Sequence, residues 1–333
     1  MIEMKKDIKL KLVGCGGIEE RFVRDFVFSI LSKKYNIIEA DNPDYLFCGP
    51  KGIDYLYYDC IKIFITGEVL IPNWNIFDYG ISYEYMLYGD RHLRYPFSFW
   101  NEKHYRLARE KHKNIISDRN KFCSCMVSVP SKDSPRDEFF KKLCEYKKVD
   151  SGGRHLNNIG GGYIADKLGW LKDYKFHICF ENAASVGYFT EKMVDAWAAG
   201  CVPIYWGDIS LKRTEMIPDV LSEYKINPKS YINVHDYNSF DEAIEEIKRI
   251  DNDNEAYLSM LKEPVFLDDV DWYDYYQSKL EKFILSIVDV NIQNAKRKES
   301  THFIRRYMRN NFHVINVGYL QEKIRRFKKR LKK

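Results

Sequence analysis

YKFHICFENAASVGYFTEKMVDAWAAGCVPIYWGD fills residues 174–208 and decides the fold. Residues 174–180 are apolar, aromatic or β-branched, the composition of a strand buried on both faces. Residues 181–189 are a polar turn containing Asn182, Ser185 and Gly187. Thr190 is a good N-cap for a helix with Met193, Val194 and Trp197 on its apolar side, and Gly200 sits where a helix ends. Residues 201–206 form a second apolar run, closed by Gly207. Strand, helix and strand of this kind make a βαβ unit, which places the first helical turn at the carboxyl edge of a parallel sheet, where ligands bind.

The chemistry concentrates at that helix start. Unpaired N–H groups and the helix dipole favour an anion there. Lys192 adds a full positive charge, and Glu191 is a hydrogen-bond acceptor suited to ribose hydroxyls. The combination suits a nucleoside diphosphate. Taken alone, Thr190-Glu191-Lys192 fits a plain helix cap equally well.

The wider stretch resembles the donor-binding motif of the α1,3/4-fucosyltransferase family. Its elements are Phe180-Glu181-Asn182, Tyr188, Thr190-Glu191-Lys192, Ala199-Gly200, Val202-Pro203 and Gly207, and the N-V-H-D segment at residues 233–236 matches the bacterial members. The resemblance covers residues 61–287. It implies two Rossmann-like α/β domains facing a cleft (GT-B type) and inverting transfer of L-fucose from GDP-fucose to a hydroxyl of an N-acetyllactosamine-type glycan acceptor. No cofactor is implied, and a divalent metal is at most stimulatory. Expected donor-binding residues are Ser128, Arg136, Asp166, Lys167, Glu181, Asn182, Tyr188, Thr190, Glu191 and Lys192. In the segment 61–96 the resemblance implies Glu68 as general base and Asp78, Tyr79 and Arg94 as acceptor-binding.

The residues themselves support parts of this. Gly67-Glu68 follows the apolar run 61–66, so a carboxylate stands at the end of a strand; capping or pairing with an arginine is the plainer role for it. Arg136 follows Pro135 at a helix start, where a guanidinium forks onto phosphate oxygens or pairs with Asp133 or Asp137. Gly14-Cys15-Gly16-Gly17 after a first strand misses the dinucleotide fingerprint, because its third glycine position is Glu19.

At 333 residues the chain is long enough for two cores, and 15% aromatic content argues against extensive disorder. We expect an acceptor domain over 1–118, a donor domain over 119–290 and a tail over 291–333. The segment 101–121 reads as a basic linker without clear period. Asp251-Asn252-Asp253 and Asp269-Val270-Asp271 imitate a metal-binding D-x-D, but sit beside helical patterns and read as caps, and no histidine spacing suggests a metal site. The eight cysteines, several inside apolar runs, read as reduced core thiols.

Residues 291–333 hold fourteen Lys or Arg against Glu299 and Glu322. Val317, Leu320, Ile324, Phe327 and Leu331 recur at steps of three and four, the pattern of a basic amphipathic C-terminal helix suited to an anionic membrane surface rather than to nucleic acid. The start, MIEMKKDIKLKLVGCGG, runs directly into a strand without an apolar leader. The expected location is therefore cytoplasmic, peripherally associated with the inner face of the membrane. A transferase using another nucleotide sugar or acceptor, and a non-catalytic nucleotide- or nucleic-acid-binding protein, are the alternatives.

Overall fold

The computed structural model describes residues 5–115, 118–162, 164–211 and 223–297. They form two compact units, one of Met1–Ser82, Leu87–Leu93 and Leu280–Lys333, the other of Tyr83–Met86 and Arg94–Lys279.

The first unit is built on strands β1 (Lys6–Val13), β2 (Tyr35–Glu39), β3 (Tyr45–Cys48), β4 (Ile61–Ile65), β5 (Tyr79–Ser82) and β6 (His92–Arg94), in the order β2-β1-β3-β4-β5-β6. β1 runs parallel to β2 and β3, β3 to β4, and β4 to β5. The central strands are apolar on both faces, with every residue of β3 and β4 buried, as a covered parallel sheet requires. Registers Val13↔Cys48 and Cys48↔Phe64 bring the carboxyl ends of β1, β3 and β4 level, so the loops after them share one edge. After β1 the chain turns through Gly17, at φ 64, into α1 (Ile18–Phe22), a π turn (Val23–Val27) and α2 (Phe28–Ser32). The sequence pattern over this region predicts one helix; the π turn interrupts it.

The second unit carries β7 (Lys121–Cys125), β8 (Val149–Ser151), β9 (Tyr174–Phe180), β10 (Val202–Trp206) and β11 (Ile232–Asn233), in the order β11-β10-β9-β7-β8, all pairs parallel. Its helices are α3 (Glu102–Arg109), α4 (Arg136–Tyr146), α5 (Lys167–Leu171), α6 (Glu191–Ala198), α7 (Phe240–Asn252) and α8 (Asn254–Lys262). Cys123, Cys125, Phe176, Ile178 and Ile204 of the sheet pack with Phe139 and Leu143 of α4 and Ala243 and Ile247 of α7. Cys123, Cys125, Cys179 and Cys201 are buried here as thiols.

Residues 101–121 are not a plain linker. Asn101 caps α3 by accepting from the His104 amide, and Tyr105 and Ala108 are fully buried. Two apolar positions give too little period to see in sequence; burial against the rest of the unit selects the helix. Helix α9 (Trp272–Val288) groups with the second unit up to Lys279 and with the first from Leu280. Short α10 (Ile292–Ala295) follows, and Tyr79 donates to the Ala295 carbonyl at 2.7 Å while Arg297 pairs with Asp90 at 2.6 Å. The first residues of the expected tail are thus part of the first unit. The amphipathic pattern at 317–331 lies outside the described residues. Among the described residues, no helix is long and apolar enough to cross a membrane.

Candidate active site

β9 ends at Phe180, and the next residue, Glu181, still extends the sheet, its amide donating to the Trp206 carbonyl at 2.8 Å. Glu181 is 0% exposed. It accepts from the Thr190 amide at 2.9 Å, from the Thr190 hydroxyl at 2.7 Å and from Lys192 Nζ at 2.6 Å. Thr190 occupies the N-cap position of α6, but its hydroxyl turns to Glu181 and makes no capping bond. The expected capping role is therefore corrected: a buried carboxylate outcompetes the helix amides for that hydroxyl, because a charged acceptor makes the stronger bond. The helix start keeps its unsatisfied N–H groups. Burial works against the Lys192 charge, but Glu181 and Glu191 more than offset it and hold its pKa above that of an ordinary lysine. The ammonium is thus permanently charged at the mouth of α6.

Arg136 is the first residue of α4 and 3% exposed. Its Nη2 donates to the Val129 carbonyl at 3.1 Å and its Nη1 reaches the Phe180 carbonyl at 3.5 Å, while Nε has no hydrogen-bond partner among the described residues. No carboxylate among the described residues pairs with it, and burial pulls its pKa below the usual value. A buried guanidinium left incompletely satisfied is costly unless a further acceptor arrives. The bond to Phe180 sets it beside Glu181, so Arg136, Glu181, Thr190 and Lys192 form one cluster at the carboxyl ends of β7 and β9.

The loop between Glu181 and α6 is fixed from several directions. Gly187, at φ 81, donates its amide to Asp208 at 2.9 Å, and a Cβ there would press against the Tyr83 carbonyl at 3.0 Å. Tyr188 is 2% exposed, its ring edge-on to Tyr83 at 5.1 Å. Asn182 is half-exposed, and its carbonyl accepts from Ser131 at 2.8 Å. Glu191 is half-exposed on the first turn of α6.

Lys167, Asp166 and Ser128, the remaining expected donor residues, are placed as follows. Lys167 pairs with Asp195 at 2.6 Å, and Asp195 also holds His104 Nδ1 at 2.7 Å. This ties α5 and α3 to the back of α6. Burial disfavours the Asp195 charge, but Lys167 and His104 together pull its pKa below the carboxylate norm. Asp166 caps α5, accepting from the Gly169 amide at 2.9 Å. Ser128 is exposed on the wall of a cavity of about 590 Å³ lined also by Met126, Asn157, Gly161 and Gly162.

In the first unit Glu68 is exposed just past β4. Its amide donates to Thr66 Oγ1 at 3.0 Å and its carbonyl accepts from Leu70 at 2.7 Å, which fixes the turn that presents it. The residues expected to bind an acceptor stand differently. Asp78 is 0% exposed and accepts from the Lys62 and Arg297 amides, both at 3.0 Å. Tyr79 is 1% exposed and bonded to Ala295. Arg94, the last residue of β6 and the first of the segment grouped with the second unit, is 7% exposed and bonded to Glu223 at 3.2 Å, to the Tyr224 hydroxyl at 3.0 Å and to the Tyr83 carbonyl. Each is engaged in internal bonds within its unit.

The D-x-D segments are likewise occupied by the chain itself. Asp251 pairs with Lys175 at 2.7 Å and with Lys147; Asp253 caps α8; Asp271 pairs with Arg109 at 2.9 Å. No cluster of His, Cys, Asp and Glu able to hold a metal occurs among the described residues. His235 stacks on Trp206 with ring centroids 5.6 Å apart. Sequence reading missed Asp195 with His104, and Glu223 with Arg94, because such pairs join residues far apart in the chain and carry no local spacing.

The pattern of the Alpha-(1,3)-fucosyltransferase FucT N-terminal domain matches residues 15–101, and that of Glycosyltransferase family 10 (fucosyltransferase) C-term matches residues 116–263. The chain is 32% identical over 340 residues to the Helicobacter pylori Alpha-(1,3)-fucosyltransferase FucT, covering 89% of this chain and 68% of that one. It is 28% identical over 146 residues to the Homo sapiens 4-galactosyl-N-acetylglucosaminide 3-alpha-L-fucosyltransferase 9, covering 43% of this chain and 37% of the human one. Crystal structures of an alpha1,3-fucosyltransferase with GDP and with GDP-fucose superpose with TM-scores of 0.65 and 0.63, at 28% identity, each covering 85% of this chain and 92% of theirs.

Proposed function

We propose, of a chain that belongs to the fucosyltransferases of glycosyltransferase family 10, that it moves L-fucose from GDP-β-L-fucose to a hydroxyl of an N-acetylglucosamine-containing glycan, with inversion and α1,3 linkage. One observation carries the donor assignment. Two cations, Lys192 and the incompletely bonded Arg136, flank the uncapped start of α6 beside buried Glu181. That arrangement suits a diphosphate, and its charge stabilises the diphosphate most as the sugar leaves. Glu191 and Asn182 are the polar groups in reach of ribose or sugar hydroxyls, and Tyr188 packs beside the nucleotide.

In the proposed reaction the Glu68 carboxylate takes the proton of the acceptor hydroxyl. The oxygen attacks the fucose anomeric carbon from the face opposite the diphosphate, and the carbon–oxygen bond to phosphate breaks with its electron pair leaving on GDP. Arg136 and Lys192 offset that growing negative charge without a resident metal. The acceptor belongs to the N-acetyllactosamine class, in synthesis of surface polysaccharide or lipopolysaccharide. The basic sequence after Arg297 holds the enzyme at the cytoplasmic face of an anionic membrane.

The test is turnover of GDP-fucose against GDP-mannose and UDP-sugars on a panel of N-acetyllactosamine-type disaccharides, with linkage analysis of the product. GDP-fucose turnover that is lost in Glu68→Gln while GDP still binds supports the reading. Equal or better turnover of another donor overturns the donor assignment, and full activity in Glu68→Gln removes Glu68 as base.

A further inference from the structure

The loop that leads into α6 is held by side chains outside the cluster of Arg136, Glu181, Thr190 and Lys192. Asp208 lies two residues past β10 and is 1% exposed. A buried carboxylate is costly unless its oxygens are bonded. Its Oδ1 accepts from the Gly187 amide at 2.9 Å, from the Ser210 amide at 2.9 Å and from the Ser210 hydroxyl at 2.6 Å. Its Oδ2 has no hydrogen-bond partner among the described residues, so one oxygen does all the holding there. The Asp208 amide donates to the Tyr205 hydroxyl at 2.8 Å, and Tyr205 is a fully buried residue of β10. The carboxylate is thereby anchored to the sheet.

The other side of Gly187 is held as well. Its carbonyl accepts from Arg94 Nη1 at 3.4 Å, and the same nitrogen donates to the Tyr83 carbonyl. The guanidinium lies over the Tyr85 ring, 3.7 Å from its centroid, and a Cβ on Gly187 would stand 2.9 Å from that ring. Glu223 supplies the opposite charge, accepting from Arg94 Nε at 3.2 Å and from Lys279 at 2.9 Å. Tyr83 reaches the loop twice more. Its hydroxyl shares a hydrogen bond with Ser185 at 3.2 Å, and its ring stands edge-on to Tyr188. Tyr83–Met86, Arg94 and the loop all belong to the second unit.

Gly187 is therefore fixed through both its amide and its carbonyl, in a left-handed conformation at φ 81 that glycine adopts without strain. It immediately precedes Tyr188 and lies three residues before Thr190, whose amide and hydroxyl go to Glu181. The segment 182–189 contains no helix or strand of its own. Ordering such a segment at the moment of binding would lower affinity, and ordering it beforehand avoids that loss.

We propose that Asp208 and Arg94 are positioning residues for the donor: they hold the loop 182–189 in its nucleotide-binding conformation before the nucleotide arrives, Asp208 through the Gly187 amide and Arg94 through the Gly187 carbonyl. The proposal rests on the reading of the α6 start as the diphosphate site. In this role neither side chain touches the nucleotide. The apparent affinity of a site scales with the fraction of molecules already in the competent conformation. Freeing the loop therefore weakens donor binding and leaves the chemical step at saturation nearly unchanged.

The experiment measures GDP affinity by calorimetry, with kcat and KM for GDP-fucose and for an N-acetyllactosamine acceptor, in the full chain carrying Asp208→Ala or Asp208→Asn. Asp208→Ala removes the acceptor for the Gly187 amide, so Kd for GDP and KM for GDP-fucose rise roughly tenfold or more, while kcat and the acceptor KM stay within about twofold. Asp208→Asn keeps the oxygen that makes the bonds, and affinity returns to within about threefold of the native value. Hydrogen exchange over residues 182–189 in the ligand-free protein accelerates in Asp208→Ala and stays slow in Asp208→Asn. Should Asp208→Ala not fold, Tyr83→Phe decides instead. It deletes only the hydroxyl bonded to Ser185; a rise in Kd of about threefold with faster exchange supports the proposal, and unchanged values overturn it. Native GDP affinity in Asp208→Ala, or an equal loss in Asp208→Asn, overturns this inference alone when Lys192→Ala binds GDP weakly. Native affinity in Lys192→Ala overturns it together with the donor reading beneath it.

Discussion

Lys192 Nζ stands 2.6 Å from Glu181 Oε2, and that carboxylate is wholly enclosed. The lysine therefore has two duties. It compensates a buried charge in the folded chain, and it faces the start of α6 where the diphosphate is proposed to sit. Removing one partner of a buried pair costs about 3–5 kcal/mol of stability, because the other charge is stranded. Lys192→Ala should thus lower the melting temperature and also weaken GDP binding by roughly 10- to 100-fold. The double variant Glu181→Gln with Lys192→Met separates the duties: stability returns, while GDP affinity measured by calorimetry stays low. Restored affinity in the double variant would remove Lys192 from the donor site.

Arg136 predicts the reverse balance. Its guanidinium is buried, incompletely bonded and, among the described residues, without a carboxylate partner, so it destabilises the ligand-free protein. Arg136→Met should leave the denaturation midpoint unchanged or raise it, since apolar replacement of a poorly compensated buried ion is neutral or stabilising. GDP affinity should fall roughly 10- to 100-fold, the loss of a charge-assisted bond. Unchanged affinity would leave the orphaned Nε unexplained.

His177 gives a pH dependence. It lies on β9, 2% exposed and 2.8 Å from the Ser124 hydroxyl, and burial followed by the Lys167 charge lowers its pKa to about 3. In the unfolded chain an unperturbed histidine takes its proton near pH 6.5. The unfolded state therefore gains protons first as the pH falls. The contribution is present above about pH 6.5 and lost progressively below it, by roughly 2 kcal/mol at pH 5. Urea midpoints at pH 7 and pH 5 should differ by that amount, and His177→Gln should show a flatter dependence. Equal slopes in both proteins would mean that His177 is protonated inside the fold.

Chain removal after Arg297 tests the membrane proposal. The cut spares the Arg297 bonds to Asp90 and Asp78 that belong to the first unit. The shortened protein should turn over a soluble acceptor as before and lose sedimentation with phosphatidylserine vesicles, because each basic residue near such a surface contributes about 1 kcal/mol. Equal sedimentation of both proteins would place the membrane attraction, if any, in the folded units.

The βαβ unit at residues 174–208 is legible in sequence to within a residue at each boundary, because an apolar run, a cap position and a terminal glycine are all local signals. Helix α3 is not. Only Tyr105 and Ala108 mark its buried face, and such a short stripe is indistinguishable from chance before the rest of the unit covers it. The site divides in the same way. Thr190, Glu191 and Lys192 are readable as a group, since they are adjacent; Asp195 with His104, and Arg94 with Glu223, are not, since each pair joins residues far apart in the chain.

The sequence by itself determined that this chain builds two parallel sheets, and where a cation meets a helix start, because hydrophobic periodicity and capping chemistry act over a few residues. Only the tertiary structure decided what those side chains do there. It turned the Thr190 hydroxyl from the helix to Glu181, left the Arg136 Nε without a partner among the described residues, and enclosed Asp78, Tyr79 and Arg94 in internal bonds. The reason is that burial sets the cost of every unpaired polar group, and burial is a property of the assembled sheets and helices, not of any stretch of chain.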